Sequence, residues 1–385
     1  MFISGRRPGG PLMGVEVFGE RIARVIPIDA ISRGRFLGGK DFFLSPGFID
    51  IQVNGFAGID FNHPTFDGDD LLPVCKALLR TGVTRFCPTL ITGSQERLSR
   101  NIRQILKACE KHALVRSMLL GIHLEGPYIA PENGPRGAHP RVYVSEPDWD
   151  EFLALSELSE GLLRIVTIAP ERPGALEFIE RASEAGLVVA IGHCAPETGD
   201  IDAAVEAGAV LSTHLGNAAH RVLPRYANYV QKQISHDGLM ASIICDGNHL
   251  PDYFVKNLIR AKGKNRIILV TDAMAAAAAP TGRYTLGDLE IEVGEERIVR
   301  LPGTPYLAGS ALTLDEAVTN CARFARISLA SAIRMVTVNP GKLFDEIGGV
   351  LEPDERADLV LLKVLNQRIQ IEQVFVAGQL VFSIN

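Results

Sequence analysis

The chain has 385 residues, of which 46% are hydrophobic and 22% charged, with a net charge of −6. That is the composition of an ordinary globular protein, long enough for one large barrel and a small satellite domain. The acidic balance argues against a nucleic-acid or anionic-membrane partner, no apolar run reaches the ~18 residues of a membrane helix, and the polar start, Met1 to Gly10, does not read as a signal peptide.

Residues 13–28 alternate apolar and polar about Gly19, which predicts a β-hairpin. The middle of the chain repeats a different unit: short apolar strand, loop, helix. Strands are expected at 48–53, 84–89, 119–124, 163–168, 188–192, 210–212, 241–244 and 267–270. Helical stretches lie between most of them, among them 70–81, 95–112, 175–185 and 251–261. The third strand is read from the apolar run 117–122, which leads into His123-Leu124-Glu125 and is broken by Gly126-Pro127. A polar, Gly-rich excursion over 281–305 should form a hairpin near the mouth of the barrel, followed by helices over 314–325 and 329–338. Residues 357–362 read as a strand and 374–382 as another hairpin.

Eight strands alternating with helices indicate an α/β fold, a parallel sheet closed as a (β/α)₈ TIM-type barrel, with a doubly wound sheet as the alternative. The two β-rich ends, 1–47 and 347–385, are expected to pair into a small β-sandwich domain, leaving 48–346 as the catalytic barrel. Cys75, Cys87, Cys109, Cys194, Cys245 and Cys321 form no CxxC pair, which suggests reduced thiols and a cytoplasmic setting.

Residues of acid–base or metal-binding type follow one strand after another. Gln52 and Asn54 come with the first strand, Glu125 after the third, His193 after the fifth and His214 after the sixth. Asp246 and His249 follow the seventh, and Asp272 the eighth. In α/β barrels that end of the sheet carries the chemistry. Glu125, His193 and His214 form a one-carboxylate, two-imidazole set, which leaves a position open for water on a catalytic divalent ion. Zinc suits these donors; iron(II) and manganese(II) also fit. Such an ion lowers the pKa of water to about 7, and Asp272 is placed to take the proton and pass it to a leaving group. The chemistry expected is metal-assisted hydrolysis of an amide or ester. His123, two residues before Glu125, is read as a hydrogen-bonding neighbour. His63, His112, His220 and His236 carry no motif and default to structural or exposed positions.

The segments 46–55, His123-Leu124-Glu125-Gly126-Pro127, Gly192-His193, Thr213-His214-Leu215, Asp246-Gly247-Asn248-His249, Val270-Thr271-Asp272-Ala273 and Leu307-Ala308-Gly309-Ser310 resemble the amidohydrolase superfamily, and within it the N-acetylglucosamine-6-phosphate deacetylases. The resemblance implies a metal on Glu125, His193 and His214, with Asp272 as base and then acid. It further implies that His139 contacts the sugar and polarises the acetyl carbonyl, with Ala138, Asn217 and Ala218 beside the ligand. His249, in the Asp246-Gly247-Asn248-His249 turn, and Arg225 would reach a phosphate across a homodimer interface. Leu307, Ala308 and Gly309 would line the pocket. Gln52 and Asn54 stand where many amidohydrolases carry His-x-His, so one metal is expected rather than two. The run Leu215 to Tyr229 departs from the family pattern. An unphosphorylated or different N-acyl or cyclic amide substrate therefore stays open, as does a non-catalytic scaffold.

Overall fold

Eight parallel strands surround the centre of the molecule: Phe48–Val53, Val83–Ile91, Ile122–Glu125, Leu163–Ile168, Val188–Ile191, Ala209–Ser212, Met240–Ile244 and Ile267–Val270. Every residue of the first is buried, as strands covered on both faces require, and this is why they read as near-continuous apolar runs. The computed structural model describes residues 1–27, 36–304, 307–344 and 349–384. The expected boundary at 346/347, residue 28 at the end of the first hairpin, Pro305 at the end of the excursion and residue 385 lie outside them.

No ladder joins the eighth strand to the first; individual hydrogen bonds close the barrel instead. At the C-terminal end, Asp272 N–H donates to Gln52 O at 3.0 Å and Asn54 N–H to Ala273 O at 2.7 Å. At the other end, Ile49 N–H and Leu269 N–H donate to the carbonyls of Val336 and Met335, at 2.8 and 3.0 Å. That insertion explains one departure from expectation. The helix expected over 329–338 divides into Leu329–Arg334 and Val338–Gly341, because residues 335 and 336 leave it to satisfy both barrel edges.

A second departure concerns the third strand. Ser117 and Met118 close a short helix, Ala113–Met118, and the strand begins at Ile122. A brief apolar run does not distinguish a buried helix from a buried strand, and Met118 is fully buried as the last residue of that helix. The covering helices follow the expected local signals. In Gln95–Lys111 the Ser94 hydroxyl accepts from Arg97 N–H at 3.2 Å. Leu98, Ile102, Ile105 and Cys109 recur at helical spacing on its buried face.

The chain ends build one seven-stranded sheet. Phe36–Pro46 joins its halves, running parallel to Phe2–Arg6 and antiparallel to Leu359–Leu365. Ile3, Val15, Val17 and Ile22 from one half pack with Leu359, Leu361 and Phe375 from the other in a separate small core. The excursion is a hairpin, Gly282–Leu286 with Leu289–Val293, extended by Val299–Arg300. Its turn is tethered to the barrel by Gly287 N–H donating to Asp60 Oδ2 at 2.7 Å and by an Arg97–Asp288 ion pair. Among the described residues no helix is long and apolar enough to cross a membrane.

Candidate active site

Glu125 is the last residue of the third strand; His193, His214 and Asp272 each lie two residues past the end of theirs. The backbone of these last three is left-handed, with φ of 49°, 29° and 49°. Non-glycine residues pay on the order of 1–3 kcal/mol for such geometry, and it collects at functional sites. Here it turns each side chain toward the barrel axis.

Glu125, His193 and His214 converge and are buried. His214 Nε2 lies 3.0 Å from His193 Nε2 and 3.1 Å from Glu125 Oε1, and His193 Nε2 lies 3.3 Å from the same oxygen. Donors bound tetrahedrally to one ion at Zn–N lengths sit about 3.3 Å apart. His193 Nδ1–H donates to Pro135 O at 3.0 Å, so in the neutral ring Nε2 keeps its lone pair for the shared point. Gly137, at φ 59°, makes this possible: a Cβ there would meet His193 Cε1 at 3.1 Å. Burial alone would raise the Glu125 carboxyl, but the imidazoles of His193, His139 and His214 hold it well below the ordinary range. Burial pulls His214 down, but Glu125, joined by Asp272, leaves it raised above the ordinary imidazole value. The donor set fits a divalent ion, and it is the only such cluster among the described residues.

The two amides of the first strand act as donors. Gln52 Nε2 donates to Glu125 Oε1 at 2.8 Å, and Asn54 Nδ2 donates to Asp272 Oδ1 at 2.7 Å. Asp272 is pushed up to about 6 by burial, with His214 opposing and Glu125 adding to the shift. His139 Nε2 is 3.6 Å from Glu125 Oε2, and its Nδ1 is 2.8 Å from Thr92 Oγ1. Burial, followed by the neighbouring His193, lowers His139 to about 4 and keeps it neutral. His123 stands apart from the cluster. Its Nδ1–H donates to Ile51 O at 3.1 Å, and its Nε2 accepts from Thr167 Oγ1 at 2.7 Å.

These groups form the floor of a cavity of about 630 Å³. Ala138, His139, Asn217, Ala218, Asn248, His249, Leu307, Ala308 and Gly309 line it, as does Asn54. Gln52, Asp246 and Gly247 do not. Gln52 lies beneath Glu125, and Asp246 Oδ2 accepts from His249 Nδ1–H at 2.7 Å. Arg225 is exposed outside this wall, its guanidinium 6.0 Å from the Tyr226 ring. Two ionisable residues that no motif marked do line the cavity, His220 and Arg221. Arg221 is the sole lysine or arginine among the lining residues, and His220 is fixed by its N–H and Nδ1 to Tyr229 Oη, at 2.9 and 3.0 Å.

The amidohydrolase family pattern matches residues 43–381. The chain belongs to the amidohydrolase family. This amidohydrolase is 33% identical over 352 residues to the N-acetylglucosamine-6-phosphate deacetylase of Bos taurus, covering 89% of this chain and 84% of that one. It is also 33% identical over 339 residues to the N-acetylgalactosamine-6-phosphate deacetylase of Escherichia coli O157:H7, covering 88% and 87%. A solved structure of a mutant N-acetyl-D-glucosamine-6-phosphate deacetylase from Mycobacterium smegmatis, in complex with N-acetyl-D-glucosamine-6-phosphate, superimposes with a TM-score of 0.89 at 28% identity. It covers 100% of this chain and 99% of that one. The amidohydrolase described here is thus a hydrolytic enzyme of a metal-dependent superfamily.

Proposed function

We propose that this amidohydrolase deacetylates an N-acetyl amino sugar carrying a 6-phosphate, with N-acetylglucosamine 6-phosphate first, and releases acetate and the free amine. The observation that carries the reading is the placement of Glu125, His193 and His214 beside Asp272 on one cavity floor. Glu125, His193 and His214 would hold one divalent ion, zinc first. When bound, such an ion supplies Lewis-acid polarisation and lowers the pKa of water to about 7.

The chain's own residues do the rest. Asp272, oriented by Asn54, is mostly ionised at neutral pH with a pKa of about 6. It accepts the proton of the attacking water and returns it to the departing nitrogen. His139 Nδ1 and Thr92 Oγ1 are 2.8 Å apart; with the hydroxyl donating in this pair, His139 keeps Nε2–H to donate to the acetyl oxygen as charge develops there. His249, held by Asp246, and Arg221 face the anionic end of the substrate from the cavity wall. Arg225, exposed, would reach the cavity of a second copy in a homodimer. The six free, buried cysteines support a cytoplasmic setting.

The test is acetate release by the zinc-loaded protein from N-acetylglucosamine 6-phosphate, its galacto epimer and unphosphorylated N-acetylglucosamine. Asp272→Asn should retain the metal and lose turnover by on the order of 10²-fold or more. Full activity in that variant would overturn the mechanism.

A further inference from the structure

A buried carboxylate outside the cavity wall, Asp50, lies across the seam where the barrel closes. It is on the first barrel strand and 0% exposed. Its Oδ2 accepts from Thr271 Oγ1–H at 2.6 Å. Its Oδ1 accepts from the N–H groups of Thr271 and Gln52, each at 3.3 Å. Thr271 immediately precedes Asp272, and Thr271 Oγ1 accepts in turn from Ala273 N–H at 3.1 Å. The clamp is completed from the other side. Ser310 Oγ–H donates to Thr271 O at 2.6 Å, and Ser310 N–H donates to Asp272 O at 2.9 Å.

We propose that Asp50 is a positioning residue for Asp272: through Thr271 it holds the eighth strand's end in the left-handed turn that aims the Asp272 carboxylate at the reacting centre. The seam has no continuous ladder to do this, and a left-handed aspartate does not keep its turn without outside constraint. Gln52, whose N–H meets the same carboxylate, donates through its side chain to Glu125. One carboxylate therefore registers the base on one strand with the partner of a metal-binding residue on the other. The inference rests on the proposed role of Asp272 as base.

The experiment compares Asp50→Asn, Thr271→Val, Thr271→Ser and Asp272→Asn as zinc-loaded full chains. Its readouts are metal content, melting temperature, kcat and KM for N-acetylglucosamine 6-phosphate. Asp50→Asn and Thr271→Val should bind metal in full, keep KM within about threefold, and lose on the order of 10² in kcat, the cost of an ångström-scale misplacement. Thr271→Ser, which keeps the hydroxyl, should recover kcat to within about threefold of wild type. A merely structural residue would lower the melting temperature without this kcat-only loss or its rescue by serine. If Asp50→Asn does not fold, the valine and serine pair decides alone. Near-normal kcat in Thr271→Val beside an inactive Asp272→Asn overturns the positioning role and leaves the base intact. Full activity in Asp272→Asn overturns both.

Discussion

Gln52→Leu tests whether an amide in place of a metal-binding imidazole still serves the metal. Gln52 and Glu125 are 1% and 2% exposed, and their contact is 2.8 Å, so the hydrogen bond is both charge-assisted and screened from water. Such bonds contribute about 1.5–3 kcal/mol. Leucine is apolar and one carbon shorter, forking at Cγ instead of Cδ, and it removes the whole amide, including the donor to Glu125. The carboxylate then loses its orienting partner, and the zinc dissociation constant should rise roughly 10- to 100-fold, in line with losses at outer partners of metal sites. The assay is competition with a chelator of known affinity, followed by zinc retention and melting temperature. Glu125→Ala is the reference for loss of a donor to the ion. An unchanged zinc dissociation constant in Gln52→Leu, with weakened binding in Glu125→Ala, would refute the claim that Gln52 supports the centre.

Two further outcomes follow from other parts of the molecule. Asp60, buried beneath the hairpin turn, is raised by burial to about 6 from an ordinary 3.8. The folded state thus holds this proton more tightly than the unfolded chain. Its contribution is fully present below pH 3.8 and falls by about 3 kcal/mol as pH rises through 6. Denaturant unfolding between pH 4 and 7 should show that slope, and Asp60→Asn should flatten it; an identical slope in the variant would remove Asp60 as its source. Arg221→Ala should raise KM for N-acetylglucosamine 6-phosphate by about tenfold or more, the value of one charge-assisted contact, and leave the unphosphorylated sugar unaffected. An equal effect on both substrates would exclude a contact to phosphate.

How legible the molecule was can be judged from particular residues. Glu125, His193, His214 and Asp272 are marked locally, because each ends or closely follows a short buried strand and the strand-ends of a parallel barrel face one way. The pairing of the chain's two ends was legible from alternation in both. Ser117 and Met118 were not, since a brief apolar run carries no period. Nor was the insertion of residues 335 and 336, which answers to unpaired N–H groups on strands far away in sequence.

The sequence by itself determined which residue types stand at the strand ends, because turns and apolar periodicity are set within a few residues. Only the tertiary structure decided that Gln52 and Asn54 point their amides at Glu125 and Asp272, 73 and 218 residues away. It also decided that Arg221 rather than Arg225 reaches the wall of its own cavity. Those outcomes depend on barrel closure and loop path, where a shift of one residue sends a side chain to the opposite face. No local pattern encodes that choice.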